Sequence, residues 1–476
     1  MQDATAKRLT LLSVCLGLFM IQLDLMVANL ALPSIQRDIG GGLAGQQWIM
    51  DAYTLVYAAL LPSGGALGDR IGHKRVLIIG LLVFALGSLL CGLAGSVSVL
   101  VLGRAVQGVG AAVEIPATLA IIATTFPEES ERARAMAAWA TVNGVALAVG
   151  PGAGALLVDH LGWPSVFLLN LPVAALAVPL ALRVVRAGQS GPGRAIGLLT
   201  QVCFGTFLAA ATATVIEGAR LGWSSAPILG GALVAAVALG AFLVVDRRAT
   251  HPLIPAALLH GHGVVVVLAV TAMMTFAMYG LLFMASLYFQ TVRGLAPLPA
   301  GLGLLPISLA YIVTAQVTGR LADSVPARWL ITAGMAAMGL GMAGFAGFAP
   351  DTSWAVMIAV YVVTGIGLGL NTAPVVGLAV ASAPKTLAGT ASGLVNTARM
   401  TGATLGVAVL GALLHDIGGD APSGAILLAG MHRAAWLGAA VLIAGAGLAA
   451  LTVRRPSPDA GATRPGAAVG AMRRWR

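Results

Sequence analysis

The chain has 476 residues, of which 58% are hydrophobic and only 9% charged. A soluble domain spends roughly 25% of its residues on charge to cover its surface, so this composition excludes a water-soluble protein and points to one dissolved in lipid. The net charge of +10 would suit a nucleic-acid partner, but the distribution of the positive residues favours membrane topology instead.

A span needs about 20 apolar residues. Taken in order, apolar runs cover 9–33, 47–67, 76–95, 98–122, 136–158, 165–184 and 196–216. They continue over 227–245, 264–290, 299–319, 329–349, 354–381, 392–414 and 434–453. The first run follows Lys7 and Arg8. It is too long for a signal-peptide core and no small-residue cleavage site follows it, so it reads as a span. Cys15, Cys91 and Cys203 lie inside apolar runs without disulfide or metal spacing and read as small buried residues. The 62 glycines suit helices that approach closely in lipid.

With a cytoplasmic N-terminus, the inner loops hold Lys7, Arg8, Arg70, Lys74, Arg75, Arg132, Arg134, Arg183, Arg186, Arg194, Arg247, Arg248, Arg320, Arg328 and Lys385. Six arginines of the tail join them, making 21 of the 27 positive residues. Only Arg37, Arg220, Arg293 and Arg433 fall outside, and Arg104 and Arg399 stay within spans. This alternation obeys the positive-inside rule and predicts 14 transmembrane helices with both termini cytoplasmic.

The chain also repeats itself. The stretch 127–157 ends in Gly-Ala-Leu-Leu, as does 384–414, and Gly65–Asp69 resembles Gly319–Asp323. Gly110 with Pro116 is echoed by Gly369 with Pro374. The offset leaves room for two extra spans. The expected fold is therefore all-α: an N-terminal six-helix bundle (1–190), a two-helix insertion (191–258), a C-terminal six-helix bundle (259–453) and a disordered cytoplasmic tail (454–476). Parallel repeats about a central site are a transporter design.

Few charges lie inside the spans. Arg104 sits in span 4, where a charge costs about 3 kcal/mol on insertion scales. Asp24 in span 1 lies at a comparable depth, so the two can pair. Glu114 follows Arg104 by ten residues, roughly 15 Å nearer the cytoplasm. A structural salt bridge or polar helix contact is the plain alternative for either acid. The turn after span 2 carries Gly65, Asp69, Arg70, Gly72, His73, Lys74 and Arg75; a basic turn obeying topology is the alternative there. Span 5 carries Gly144, Gly150, Pro151 and Gly154, where the proline removes a backbone hydrogen bond and the glycines smooth the surface. Such a helix can act as a gate, or simply pack tightly.

In this order, these three motifs resemble those of the major facilitator superfamily. Arg104, Gln107 and Gly108 match its span 4 coupling motif, and Leu23-Asp24 through Asn29 and Pro33 match the span 1 signature of its 14-span drug:proton antiporters, with Met26 in place of the usual Thr. Trp163–Pro172, Glu217-Gly218 with Gly222-Trp223, and Gln290, Gly294, Ala300-Gly301 and Pro306 agree with that family, so the resemblance covers nearly the whole chain. It implies a major facilitator fold and a proton-coupled efflux transporter in the plasma membrane of a high-GC actinobacterium. That transporter would export antibiotics or other lipophilic or cationic small molecules by alternating access. A dedicated exporter of one endogenous metabolite, or an importer, is the alternative within transport.

Asp24, Arg104 and Glu114 are the expected proton-coupling residues, because burial penalises a charged carboxyl and an adjacent guanidinium stabilises it. Asn29, Gln107, Asn371, Arg399, Tyr279 and Phe283 are the candidate cavity residues. Asp51 at the start of span 2 would line an outer vestibule or cap its helix. The seven His lie mainly in loops, and no cluster of them or of carboxylates suggests a membrane enzyme. The expected partners are a small-molecule substrate, protons and the lipid bilayer, with no nucleic acid, no metal, no cofactor and a monomeric protein.

Overall fold

A computed structural model describes residues 2–186, 197–250, 252–259, 262–321, 324–383, 387–418 and 424–452. Arg194, Asp323, Pro384, Lys385 and the tail from 454 lie outside the described residues. Those described are helical or in turns, with no strand among them. The first bundle comprises α1 (Gln2–Ile39), α2 (Gly42–Ile71), α3 (His73–Gly92), α4 (Val97–Thr125), α5 (Glu129–Leu161), the short α6 (Pro164–Leu168) and α7 (Asn170–Val184). Then follow α8 (Leu198–Leu221), α9 (Ala226–Arg248) and the single turn α10 (Ala256–Leu259). The second bundle comprises α11 (His262–Leu287), which runs into a π-turn (Tyr288–Val292), α12 (Pro297–Leu321), α13 (Ala327–Phe345), α14 (Trp354–Ala381), α15 (Ala388–Gly418) and α16 (Gly424–Thr452).

Twelve of these segments, among the described residues, are long and apolar enough to cross a membrane. The expected spans over 47–67 and 329–349 correspond to α2 and α13, which are not among the twelve. The reason is local. Helix α2 carries Gln46, Gln47 and Asp51 on buried positions and ends in the polar Gly68-Asp69-Arg70, while α13 has only 19 residues and opens with Arg328. The expected sixth span is two helices, broken at Leu169 before Asn170.

Glycines set how the helices meet. On α4, Gly110 faces Gly80 and Phe84 of α3, while Gly108 faces Tyr53 and Tyr57 of α2. On α14, Gly367 faces Gly334 and Met338 of α13, while Gly365 and Gly369 face α12. The packing of the first bundle thus recurs in the second: α4 against α2 and α3, as α14 against α12 and α13; α1 against α5 and α7, as α11 against α15 and α16. The bundles meet reciprocally, α2 on α15 and α5 on α12, and α8 lies over α2 and α15 with α9 behind it.

Successive long helices reverse direction, so the molecule has two faces. The base carries the start of α1 and the turn at Gly72, a glycine with φ of +93°. The crown carries the α1–α2 turn at Gly40 and Gly41, both also at positive φ. Cross-bundle hydrogen bonds gather towards the crown. Gln47 donates to the carbonyls of Val407 (3.2 Å) and Ala408 (2.9 Å), and Ser286 to that of Asn29 (2.7 Å). Gln290 donates to Leu30 O (3.0 Å), and Asp159 accepts from the Leu298 N–H on the first turn of α12 (3.3 Å). Deeper in, Thr404 donates to Thr54 and Ser308 to Leu147 O, both at 2.8 Å.

Candidate functional site

The site grows from a heptad relation among three helices of the first bundle. Gly17 and Asp24 are seven apart on α1, Gly80 and Gly87 on α3, and Gln107 and Glu114 on α4. Seven residues are two turns, roughly 10 Å, on one helix face. The three faces form one seam with two polar levels. A Cβ on Gly87 would lie 2.6 Å from Gln107 N, and one on Gly80 would lie 2.9 Å from Glu114 Cβ. Bare glycines on α3 therefore make room for the side chains of α4.

The crown-side level is a hydrogen-bonded network in which Arg104 Nη2 is left without a partner among the described residues. Arg104 Nη1 pairs with Asp24 Oδ2, and both side chains are fully buried. Asp24 Oδ1 accepts from Gln107 Nε2 and Asn170 Nδ2, each at 2.9 Å. Those two amides also donate to Ser88 Oγ at 2.8 and 3.1 Å. Arg104 donates further to Gln107 Oε1 (2.8 Å) and, through Nε, to Ile49 O (3.0 Å). Its guanidinium lies 4.4 Å from the Tyr53 ring centre and 5.8 Å from that of Phe167. One ion pair thus ties α1 to α4, with α2, α3, α6 and α7 each supplying a contact. The sequence pointed to Asp24, Arg104 and Gln107 but not to Ser88 or Asn170. Asn170 is a lone amide at the break between α6 and α7, inside an apolar run that gives neither the break nor the amide a sequence signal.

The base-side level holds one acid. Glu114 is fully buried and neither carboxyl oxygen has a hydrogen-bond partner. A Cβ on Gly17 would overlap that carboxyl, so α1 has a glycine where the acid enters. Asp51 on α2 is likewise fully buried with both oxygens unpartnered. It lies between Gln47 and Thr54, which bond to α15, rather than in an open vestibule. Glu217 accepts from Trp48 Nε1 (3.0 Å) and pairs with Arg220 (2.7 Å).

Between the bundles, on the base side of the crown contacts, lies a cavity of about 100 Å³, open in part to solvent. Its first wall includes Gln22 and Met26 of α1, Tyr57 of α2 and Trp139 of α5; its second includes Met278 and Tyr279 of α11, Tyr311 of α12 and Arg399 of α15. Of the candidate cavity residues, Arg399 and Tyr279 stand in this lining. Asn29, Gln107, Asn371 and Phe283 are buried outside it. Asn371 bonds to Gly367 O (2.9 Å) and abuts Gly334, and Asn29 bonds to Leu25 O (3.3 Å).

The glycines of α5 serve contact. A Cβ at Gly150 would lie 2.6 Å from Met26 Cβ, and one at Gly154 would lie 2.6 Å from Val27 Cγ1. Gly144 faces Tyr311 and Ile312, Pro151 presents its carbonyl to Gly301 of α12, and α5 runs through Pro151 as one helix. In the α2–α3 turn, Asp69 lies 3.3 Å from His73, the first residue of α3. Lys74 bonds to Leu182 O at the end of α7 (2.7 Å), Arg70 and Arg75 are exposed, and Gly65 packs loosely on Pro116. Among the described residues, no group of three or more His, Cys, Asp or Glu could hold a metal.

Two similar bundles of membrane-length helices around a cavity, with an ion pair buried beside it, define a multi-pass membrane transporter. The sequence profile of the Major Facilitator Superfamily matches residues 14–407, and again 307–475, and the chain belongs to that superfamily. The multidrug resistance protein Stp of Mycobacterium tuberculosis is 36% identical over 406 residues, 85% of this chain and 75% of that protein. The methylenomycin A resistance protein of Streptomyces coelicolor is 35% identical, covering 84% of each chain. The tetracenomycin C resistance and export protein of Streptomyces glaucescens is 34% identical over 86% of this chain and 76% of its own. A solved POT family transporter in complex with 5-aminolevulinic acid superposes with a TM-score of 0.69 at 15% identity, over 92% of this chain and 94% of its own. A structure from work on proton dependent oligopeptide transporters gives 0.65 at 17%, over 92% and 97%. These two likenesses are of fold alone.

Proposed function

We propose that the protein is a proton-driven exporter of antibiotics or other lipophilic small molecules, working by alternating access in the bacterial plasma membrane. Fourteen spans with cytoplasmic termini, divided 6 + 2 + 6 at about 190 and 258, complete this reading. The base is then the cytoplasmic face. It carries Lys7, Arg8, Arg70, Lys74 and Arg75, as the positive-inside rule requires. The crown contacts close the outer side.

The observation that carries the reading is the buried Asp24–Arg104 pair behind the cavity wall, supported by the resistance and export proteins among the relatives. Gln22 and Met26 of α1 face the cavity while Asp24, on the same turns, faces the network. A movement of α1 under a bound substrate therefore alters the pair. Protonating Asp24 removes the counter-charge of Arg104, and a buried charge without its partner is costly. The fold then favours the arrangement that hydrates or re-pairs Arg104. Glu114, two turns nearer the base in the same seam, is the next acceptor for a proton leaving towards the cytoplasm.

The test is a drug-susceptibility panel in an efflux-deficient host, comparing wild type with Asp24→Asn at equal protein levels. Resistance to at least one lipophilic compound, lost in the variant, is expected. Unchanged susceptibility to every compound would count decisively against export.

A further inference from the structure

The charge in the cavity has the sign opposite to that expected for a cation exporter. Among the described residues, Arg399 is the only charged side chain in the lining, and no carboxylate is part of it. Asp24, Glu114 and Asp51 are each fully buried between helices and outside that lining. Asp24 is, in addition, neutralised by Arg104.

Arg399 itself is not neutralised. It makes no hydrogen bond or ion pair with another described residue, and its Nε is buried without an acceptor. Arg399 is half-buried, and a buried donor left without an acceptor is costly, so a ligand that brings acceptor oxygens to this guanidinium removes that cost. A guanidinium presents donors in a planar fork that a carboxylate matches with two parallel bonds. Tyr57, Tyr279 and Tyr311 stand in the same lining, and their hydroxyls have no partner among the described residues. Most of the remaining wall is apolar, with Leu18, Met274 and Leu282 among its side chains, interrupted by the neutral polar Gln22, Thr275, Thr372 and Asn396.

We infer that the cavity takes lipophilic acids, binding a carboxylate or an acidic phenolate at Arg399 with its apolar body among the Met and Leu side chains, and disfavours lipophilic cations. This rests on the exporter reading for its direction of transport but not for the binding preference. An acid-selective site also separates the two charges of the cycle: the substrate anion is held by the second bundle and the proton by the first, so neither competes for the other's group.

The test uses purified full-length protein in detergent and two fluorescent probes of one shape, pyrenebutyrate and pyrenebutylamine. Binding of each is followed by anisotropy at neutral pH. Wild type is expected to bind the carboxylate at least roughly tenfold more tightly than the amine, the scale of one charge-assisted contact. Arg399→Gln is expected to bring the two affinities together, and Arg399→Lys to keep the order with a smaller ratio. Intact unfolding transitions in both variants show that they fold. Preference for the amine, no binding of either probe, or a ratio unchanged in Arg399→Gln would overturn the proposal. Transport is scored separately in inside-out vesicles. Pyrenebutyrate that binds selectively yet never moves counts against export and not against the acid site, whereas proton-driven movement of the amine alone counts against the acid site and not against export.

Discussion

Replacing Asp24 by Asn keeps its volume and removes its charge, and the structure sets what that costs. The side chains of Asp24 and Arg104 are both fully buried. Asn retains one acceptor for Arg104, but its amide then meets the donating amides of Gln107 and Asn170, each 2.9 Å from Oδ1 in the wild type. Removing one member of a buried ion pair typically costs about 3–5 kcal/mol, because the other charge is left uncompensated. Arg104→Gln should cost a similar amount and also lose the bond to Ile49 O. The double variant leaves no uncompensated charge. Its cost should fall short of the sum of the single costs by about 2–3 kcal/mol, within the range seen for residues in direct contact. A titration of unfolding with a denaturing detergent, applied to all four proteins, reads that difference. The double variant should fold but fail to couple transport to protons. Single variants within about 0.5 kcal/mol of wild type, or strictly additive costs, would refute the claim that the pair holds the network together.

Gly17→Ala should destabilise the fold by about 1–3 kcal/mol, the usual cost of overpacking, since the new methyl overlaps the Glu114 carboxyl. Combining it with Glu114→Ala should recover part of that loss in the same titration, whereas Glu114→Gln should not. Gln47→Ala deletes two donations to α15, each worth about 1 kcal/mol net. In a background with Cys15, Cys91 and Cys203 replaced by Ser, labelling of Ala408→Cys by an impermeant maleimide from the crown side should then rise by roughly tenfold or more. An unchanged rate would show that this bond does not hold the crown closed. Gly301→Val, which drives a side chain into the Pro151 carbonyl, should open the crown in the same assay without altering the Asp24 network.

Twelve helical segments among the described residues were legible as apolar runs of membrane length, and the loops were legible because each carries Gly, Pro or charge. Depth along the helix axis was enough to suggest that Asp24 meets Arg104. Depth alone does not say which face a side chain occupies, so Asn29, Gln107 and Asn371 could be assigned to a cavity they do not line. Ser88 and Asn170 are single small polar groups in apolar surroundings, and only the approach of α3 and α7 to α1 gives them a partner. The break before Asn170 and the π-turn at Tyr288–Val292 fall within continuous apolar runs, where hydropathy carries no signal. Gly17 was unremarkable in the sequence; its reason is the carboxyl of Glu114, which lies 97 positions later in the chain.

The proposed coupling of substrate movement to protons rests on one carboxyl of the first bundle, Asp24. It is tested most directly in proteoliposomes of purified protein, loaded with a compound chosen from the susceptibility panel and given an imposed pH gradient. Wild type should move the compound against its own gradient, and a protonophore should abolish that movement. Asp24→Asn should still exchange the compound down its gradient but ignore the pH difference. Transport by wild type that is indifferent to the imposed gradient, or full coupling in Asp24→Asn, would contradict it.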